Sequence, residues 1–183
     1  MKKIVALFSG EGTNLANLIE KIHLKHGAIV CAITNNPNAG GIAKARAANI
    51  PVEVCNHTLF NSRESYDTAL VEIIQKYDPD LVVLCGFMRI LTPVFTTKIR
   101  AINLHPSLLP AFKGARAIER SFESNETICG VSVHWVSDEL DGGDIILQKS
   151  FTKKSTDTLE EFSAKIHEIE HEILPLSVIQ ILK

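Results

Sequence analysis

Residues 3–14 read KIVALFSGEGTN, and this stretch sets the fold of the chain. Its first part, KIVALFS, is a short apolar run rich in Ile and Val, which predicts a buried β-strand. The run ends in a glycine-rich turn, SGEGTN, and residues 13–26 then follow a helical pattern. A strand, a glycine-rich turn and a helix in this order are typical of the first unit of a parallel α/β sheet.

Four further apolar runs repeat this alternation through the first half of the chain. They are AIVCAIT (28–34), PVEVC (51–55), LVVLCGF (81–87) and AINLH (101–105). Helix-like segments lie between them at 41–49, 62–77 and 92–100. The alternation predicts an α/β fold with a mostly parallel twisted sheet and helices on both faces, a Rossmann-like arrangement.

The alternation changes after residue 110. A helical segment at 115–124 precedes two apolar runs, ICGVSVHWV and DIILQKSFT, which a turn at 137–143 joins. Two strands so close in sequence predict an antiparallel addition to the sheet. A long final helix from about Thr158 to Ile179 follows, and we expect Pro175 to kink or interrupt it.

Composition argues for a single domain over residues 1–183 and against several classes of protein. The chain has 183 residues, is 45% hydrophobic and carries a net charge of −2, which disfavours broad binding to nucleic acid. No apolar run approaches the roughly 20 residues of a membrane span, and the N-terminal run is too short for a signal peptide. The four cysteines are scattered without a C-x-x-C pair, which is typical of reduced core thiols and predicts a cytoplasmic protein.

The glycine-rich turn after the first strand is a candidate phosphate site, because glycines let the backbone approach a phosphate at a helix N-terminus. The dinucleotide fingerprint requires a third glycine where Leu15 stands, and no Gly-Lys-Ser/Thr follows for a P-loop. Two interpretations remain open. Either the amides of Gly12, Thr13 and Asn14 bind one phosphate, or Thr13 or Asn14 caps a tight turn.

The fifth strand ends in AINLHPSLLP, residues 101–110, which places an amide and an imidazole in an apolar run. Asn103 and His105 are two residues apart and therefore share one face of the strand. They lie at the carboxyl end of a parallel strand, where open α/β sheets bind ligands, on the same edge as the glycine-rich turn. A structural polar pair and a catalytic pair both fit this position.

The turn DELDGG, residues 138–143, offers a carboxylate to this pair. An aspartate turned toward an imidazole favours the charged imidazole. An amide, an imidazole and a carboxylate suit acyl transfer to an external nucleophile, because positioned donors stabilise the oxyanion and a proton must be moved. The chain has no Ser or Cys nucleophile elbow.

These segments resemble the phosphoribosylglycinamide formyltransferase family, the small folate-dependent formyltransferases of purine synthesis. The resemblance lies in SGEGTN, CGFMRIL (85–91), INLHPSLLP (102–110) and GVSVHWVSDELDGGDIILQ (130–148), in family order over nearly the whole chain. It implies transfer of a formyl group from 10-formyltetrahydrofolate to the glycine amine of phosphoribosylglycinamide, through a tetrahedral intermediate and without a metal. It also implies small-molecule substrates, no nucleic-acid or membrane partner, and a homodimer as the candidate assembly.

By position, Asn103, His105 and Asp141 match the catalytic trio of that family. The resemblance makes His105 the general acid and oxyanion partner and Asn103 a contact of the formyl oxygen and the cofactor. Asp141 keeps His105 protonated and orders a water. A phosphate-binding half, about 1–100, and a folate and catalytic half, about 101–183, are implied within the one domain.

The same matching assigns the binding residues. It assigns binding of the substrate phosphate to Gly12, Thr13 and Asn14, and it assigns a contact with the substrate to Glu170 on the final helix. Arg63 approaches the anionic part of the cofactor. The residues that line the folate pocket through backbone and apolar contacts are Met88, Arg89, Ile90 and Leu91.

Three alternative functions remain. A formyltetrahydrofolate hydrolase usually carries an extra domain before the catalytic one, and here the first predicted strand begins at residue 3. The enzyme that formylates initiator methionyl-tRNA carries a further domain after it, and here the sequence ends after the final predicted helix. We therefore expect neither of these two enzymes. A nonenzymatic phosphometabolite-binding module would keep the fold without the trio. The segment HEIEH, residues 167–171, matches a zinc-protease pattern, but no third ligand follows it.

Three local features remain: one open question, one departure from the family and one further prediction. His134 alternates with Trp135 on the sixth strand and faces either the core or the site, with a supporting role favoured. The segment from Lys113 to Arg116 differs from relatives that carry Pro and His there, so no substrate contact near Arg116 is carried over. We also expect a cis peptide bond before Pro110.

Overall fold

The chain folds around one sheet, and all of residues 1–183 are described by a computed structural model. The strands are β1 Lys3–Phe8, β2 Ala28–Thr34, β3 Val52–Val54, β4 Leu81–Leu84, β5 Ala101–His105, β6 Ile128–Trp135 and β7 Ile145–Thr152. The helices are α1 Thr13–Ile22, α2 Gly41–Ala47, α3 Arg63–Gln75, α4 Pro93–Thr96, α5 Ala117–Glu123 and α6 Leu159–Leu182. A short 3-10 helix covers His57–Leu59.

The sheet has seven strands in the order β3-β2-β1-β4-β5-β6-β7. The first five strands pair in parallel, and β6 and β7 add to them in antiparallel pairing. The predicted fold class is therefore confirmed. Because β2 lies on one side of β1 and β4 on the other, the strand order reverses at β1, and such a point opens a crevice at the carboxyl ends of the strands.

Alternate residues of the strands feed two apolar clusters, one on each face of the sheet. In β1, Ile4 and Phe8 belong to the cluster that includes residues of α1 and α6, whereas Val5 and Leu7 belong to the cluster with residues of α3 and α4. A strand that is apolar on both faces requires cover on both. Helices on both faces follow from that pattern.

Helix α6 continues through Pro175, so of the two effects expected there, a kink or an interruption, the interruption is wrong. Proline has no N–H and leaves the carbonyl of residue i−4, here His171, without its helical partner. The side chain of Asn17 on α1 donates to His171 O at 2.8 Å and replaces that partner. Leu159 is 42% exposed because it is the first residue of the helix.

Several local predictions are confirmed, whereas strand β4 ends earlier than expected. The Leu109–Pro110 peptide bond is cis. The four cysteines are free and buried. Strand β4 ends at Leu84 rather than at residue 87, since Gly86 takes a φ of 78° and turns the chain away from the sheet. No helix has both the length and the apolar character that crossing a membrane requires.

Candidate active site

The turn between β1 and α1 presents free backbone amides at the start of a helix. Gly12 precedes α1 with a φ of 72°, and no side chain caps the helix. The N–H groups of Gly12, Thr13 and Asn14 form no hydrogen bond within the chain. The capping interpretation is therefore wrong, and the unpaired amides at the positive end of the helix dipole suit an anion.

Close packing against α2 requires glycine at this turn. A Cβ added to Gly12 would lie 2.6 Å from Gly41 Cα, which is too short for any real contact. The amide of Gly41 also donates to Gly10 O at 3.1 Å. The start of α2 thus supports the turn from behind and leaves its amides facing outward.

Glu170 on α6 contacts Asn14 at the start of α1. Its side chain is 7% exposed, and Oε2 accepts hydrogen bonds from Asn14 Nδ2 at 3.2 Å and from His167 Nδ1 at 2.9 Å. The bond to Glu170 raises the pKa of His167. Asn14 Oδ1 is buried and has no partner. An unpaired amide oxygen and a carboxylate next to free amides are acceptors for the hydroxyl groups of a phosphorylated ligand.

The three predicted catalytic residues come together on one face of β5. His105 Nδ1 lies 3.4 Å from Asp141 Oδ2, and Asn103 Nδ2 donates to Asp141 Oδ1 at 3.3 Å. His105 is 5% and Asp141 8% exposed. Leu104, between the two β5 residues, belongs to the cluster on the other face. Strand alternation therefore aims the amide and the imidazole at the same carboxylate.

Backbone groups of the loop after β5 fix both members of the His105–Asp141 pair. The ring of His105 donates from Nε2 to Phe112 O at 2.8 Å, because a carbonyl oxygen can only accept. The amide of Gly114 donates to Asp141 Oδ2 at 2.8 Å. With Nε2 bound to a carbonyl, Nδ1 is the ring nitrogen that faces the carboxylate.

His134 is a fourth polar residue of this cluster. It pairs opposite Asn103 in the antiparallel register of β5 and β6 and is 2% exposed. Its Nε2 lies 3.2 Å from Asn103 Nδ2 and 3.5 Å from Asp141 Oδ1, and its Nδ1 donates to Trp135 O at 2.9 Å. The sequence left open whether His134 faces the core or the site, and in the structure it faces the site.

Asp141 is held as a carboxylate. Burial, the largest influence, would raise its pKa, but hydrogen bonds from His134 and the Gly114 amide and the charges of His105 and His134 lower it below the usual value. Asp141 itself has a φ of 51°, a region that aspartate tolerates better than most residues. At neutral pH the site therefore contains a buried negative charge next to two imidazoles.

A cavity of about 460 Å³ opens beside the trio. The four predicted folate-pocket residues line it, together with the trio and with the turns at 114–117 and 136–141; they are Met88, Arg89, Ile90 and Leu91. Met88 is 76% and Ile90 47% exposed at its mouth. The backbone groups of Arg89, Ile90 and Leu91 form no hydrogen bonds within the chain and are free to bind a ligand.

Two side chains tether the cavity loop at its ends. Ser9 Oγ accepts from Met88 N at 2.8 Å. Asp67 Oδ2 accepts from the amide and the hydroxyl of Thr92, at 2.6 and 2.7 Å. Burial raises the pKa of Asp67 against the lowering effects of Thr92 and Arg89. The loop between these tethers keeps its own backbone groups unpaired.

Two sequence features lie apart from the cavity. Arg63 is the first residue of α3, is exposed and does not line the cavity. In the HEIEH segment, His167 contacts Glu170 rather than His171, whose Nε2 is buried without a partner. No group of three or more His, Cys, Asp or Glu side chains is arranged to hold a metal ion.

Sequence reasoning missed the backbone contacts of the loop after β5. The carbonyl of Phe112 and the amide of Gly114 touch His105 and Asp141, although neither residue belongs to a spacing pattern. The only signal was Gly114, whose φ of 80° favours glycine. The tether from Ser9 was also missed, because Ser9 reads as part of the glycine-rich turn.

Free amides at the start of a helix and a buried imidazole–carboxylate pair, beside a pocket with unpaired backbone groups, suit an enzyme of the group-transfer class on a Rossmann-like sheet. The model of the family described as "Formyl transferase" matches residues 2–178. The chain belongs to this formyl transferase family, and the resemblance seen in its motifs is confirmed.

Individual relatives carry more specific names. The chain is 40% identical over 179 residues to the phosphoribosylglycinamide formyltransferase of Escherichia coli, which covers 96% of this chain and 84% of that protein. It is also 40% identical over 179 residues to the trifunctional purine biosynthetic protein adenosine-3 of Bos taurus, of which it spans only 18%. The crystal structure of phosphoribosylglycinamide formyltransferase from Campylobacter jejuni superposes with a TM-score of 0.97 at 52% identity, over 100% of this chain and 98% of that one.

Proposed function

We propose that this protein transfers the formyl group of 10-formyltetrahydrofolate to the glycine amine of 5'-phosphoribosylglycinamide, a step of purine biosynthesis. The observation that carries the proposal is the meeting of a single-anion turn and an imidazole–carboxylate pair at one edge of the sheet. Because β4 alone separates β1 from β5, the strands that lead to the turn and to His105 lie about 10 Å apart, or two strand spacings. That span suits a phosphorylated substrate whose amine reaches the catalytic pair.

The ribonucleotide binds with its phosphate at the start of α1. The free amides of Gly12, Thr13 and Asn14 receive the phosphate oxygens, and the helix dipole adds to the attraction. The ribose hydroxyls lie against Glu170 and the unpaired Asn14 Oδ1. In this arrangement residues of about 1–100 hold the phosphate, and residues of about 101–183 supply the catalytic trio, within one domain.

The folate binds in the cavity beside the trio. Unpaired backbone donors and acceptors at Arg89, Ile90 and Leu91 match the alternating donors and acceptors of a pterin ring. The exposed side chains of Met88 and Ile90 offer apolar contacts for the rest of the cofactor at the mouth. Arg63 meets its anionic tail outside the cavity.

The chemistry begins when the glycine amine attacks the formyl carbon, forming a C–N bond and a tetrahedral intermediate with a negative oxygen. Asn103 contacts that oxygen, and His105 stabilises it through its positive charge, because both of its ring nitrogens already face Phe112 O and Asp141. The buried carboxylate of Asp141 stabilises that positive charge. The bond from the formyl carbon to N10 of the folate then breaks. The proton lost by the amine is returned to N10, by His105 or by a water that Asp141 orders.

The amide of Asn103 must exchange one of its present contacts for a hydrogen bond to the formyl oxygen. Its amide nitrogen faces Asp141 Oδ1 at 3.3 Å and His134 Nε2 at 3.2 Å. Both contacts are long for hydrogen bonds, so a formyl oxygen can displace one of them at small cost. His134 then serves to hold the amide in reach of the carboxylate and the substrate.

The test follows tetrahydrofolate release from 10-formyltetrahydrofolate by absorbance, with and without the ribonucleotide. Release that requires the ribonucleotide supports the transferase. Release without it indicates the hydrolase alternative, and tight binding without release indicates the nonenzymatic module. Methionyl-tRNA in place of the ribonucleotide tests the tRNA-formylating alternative.

Location and assembly complete the proposal. Four free, buried thiols fit a reducing compartment, and we place the protein in the cytoplasm. Its partners are the two small molecules, without nucleic acid or membrane. A homodimer is the assembly to be tested by light scattering at several protein concentrations.

A further inference from the structure

The loop between β5 and α5 uses backbone conformations that side chains rarely adopt. Phe112 and Arg116 both have a φ of 56°, and Gly114 has a φ of 80°. Non-glycine residues in the left-handed region persist only where surrounding contacts hold them. The conformation of this loop therefore depends on contacts with neighbouring side chains.

Two backbone groups of the loop set the geometry of the catalytic pair. Phe112 O accepts from His105 Nε2, and Gly114 N donates to Asp141 Oδ2, each at 2.8 Å. The imidazole and the carboxylate face each other at 3.4 Å. A shift of this loop moves both groups, so whatever holds the loop also positions them.

Arg120 on α5 contacts three carbonyl groups of the loop. Its Nη2 donates to Phe112 O at 3.1 Å and to Lys113 O at 2.5 Å, and its Nε donates to Ala115 O at 3.0 Å. The guanidinium carbon also lies 6.0 Å from the centroid of the Phe112 ring. A planar guanidinium presents these donors in a fixed fork that a lysine ammonium does not reproduce.

The carbonyl of Phe112 is hydrogen-bonded to both Arg120 and His105. It accepts one hydrogen bond from His105 and one from Arg120, which uses both of its lone pairs. Other side chains also contact this loop. They are Ser107 Oγ with Ala111 O, Ser132 Oγ with Ser107 O and Leu109 N, Gln148 Nε2 with Leu109 O, Asp141 Oδ2 with Gly114 N, and Glu139 in an ion pair with Lys113. None of these contacts reaches the Phe112 carbonyl.

We infer that Arg120 is a positioning residue for the transfer reaction: its guanidinium fixes the Phe112 carbonyl and, through it, the orientation of His105. The inference rests on the proposed function. Arg120 does not line the cavity and does not belong to the phosphate turn. Its effect is therefore on kcat rather than on the binding of either substrate.

The test compares Arg120→Ala and Arg120→Lys with Arg46→Ala. Arg46 is an exposed arginine near the end of a helix, as Arg120 is, but its side chain forms no hydrogen bond within the chain. We expect kcat to fall about tenfold in both Arg120 variants, because a small displacement of His105 misaligns the proton transfer. KM for both substrates stays within about twofold of the parent, and Arg46→Ala behaves as the parent.

A second readout follows the imidazole of His105 directly, in long-range nitrogen–proton spectra of protein labelled at histidine. The Arg120 variants should change the His105 ring signals and shift the pH profile of kcat, while the thermal midpoint stays near that of Arg46→Ala. Parent-like kcat and ring signals in Arg120→Ala overturn the inference. So does a loss of kcat that comes with a lower thermal midpoint and parent-like ring signals. If the parent transfers no formyl group, the proposed function fails, and the ring signals alone still decide whether Arg120 positions His105.

Discussion

Replacing Asp141 by Asn removes the central charge of the site while keeping the size of the side chain. Asp141 Oδ2 lies 3.4 Å from His105 Nδ1, and each side chain is 7% exposed. For two full charges at that distance and an effective dielectric constant of about 20, the attraction is about 5 kcal/mol. The amide dipole of Asn retains part of it. If about half is lost in the transition state, the barrier rises by about 2.5 kcal/mol and kcat falls about 70-fold.

Kinetics with both substrates varied separately, together with folate titration by calorimetry, measure this effect. We expect the folate dissociation constant to stay within about threefold, because the lining of the cavity is otherwise unchanged. Asp144→Asn is the matched control, since Asp144 follows the same turn but its side chain is exposed and forms no hydrogen bond. An Asp141→Asn protein that folds normally and keeps kcat within about threefold would refute the charge-pair mechanism.

Three further predictions concern the turn, the final helix and pH. Gly12→Ala should raise KM for the ribonucleotide by about tenfold or more without changing folate binding, because its Cβ would lie 2.6 Å from the backbone of α2; an unchanged KM contradicts the phosphate site. Asn17→Ala should lower the free energy of unfolding in urea by about 1 kcal/mol, and by less in a Pro175→Ala background, where the helix supplies its own donor to His171. The lowered pKa of Asp141 means that its ionised form stabilises the fold above its unfolded value of 3.8 and that this contribution is lost as pH falls through the folded pKa. Asp141→Asn should therefore be less stable than the parent in urea at neutral pH, with the difference disappearing in acid; an equal difference at both pH values contradicts the assignment.

Local patterns predicted those parts of the site that lie within a single segment. Asn103 and His105 lie on the same face of β5 because side chains alternate along a strand. This alternation holds whichever strands are the neighbours of β5 in the sheet. The free amides at Gly12 follow from a glycine-rich turn before a helix. Both depend on neighbours in sequence, so the sequence is sufficient to predict them.

Contacts between segments were not predictable in the same way. The direction of His134 depends on the register between β5 and β6, and a shift of one residue would turn it into the core. The carbonyl of Phe112 reaches His105 only because Phe112 takes a positive φ, which no residue preference indicates for phenylalanine. The continuity of α6 through Pro175 likewise depends on Asn17, which is remote in sequence.

The position of the cavity follows from a gap in the helical cover of the sheet. Ala101, on the same face of β5 as Asn103 and His105, packs in the cluster that contains Phe95 of α4. Helix α4 has only four residues, about one turn, so it covers the beginning of β5 and not its carboxyl end. Loops at 86–91, 114–117 and 136–141 line the uncovered part instead. Because α4 is short, an open cavity rather than an apolar side chain lies beside His105, and the backbone groups of residues 89–91 at its edge stay unpaired.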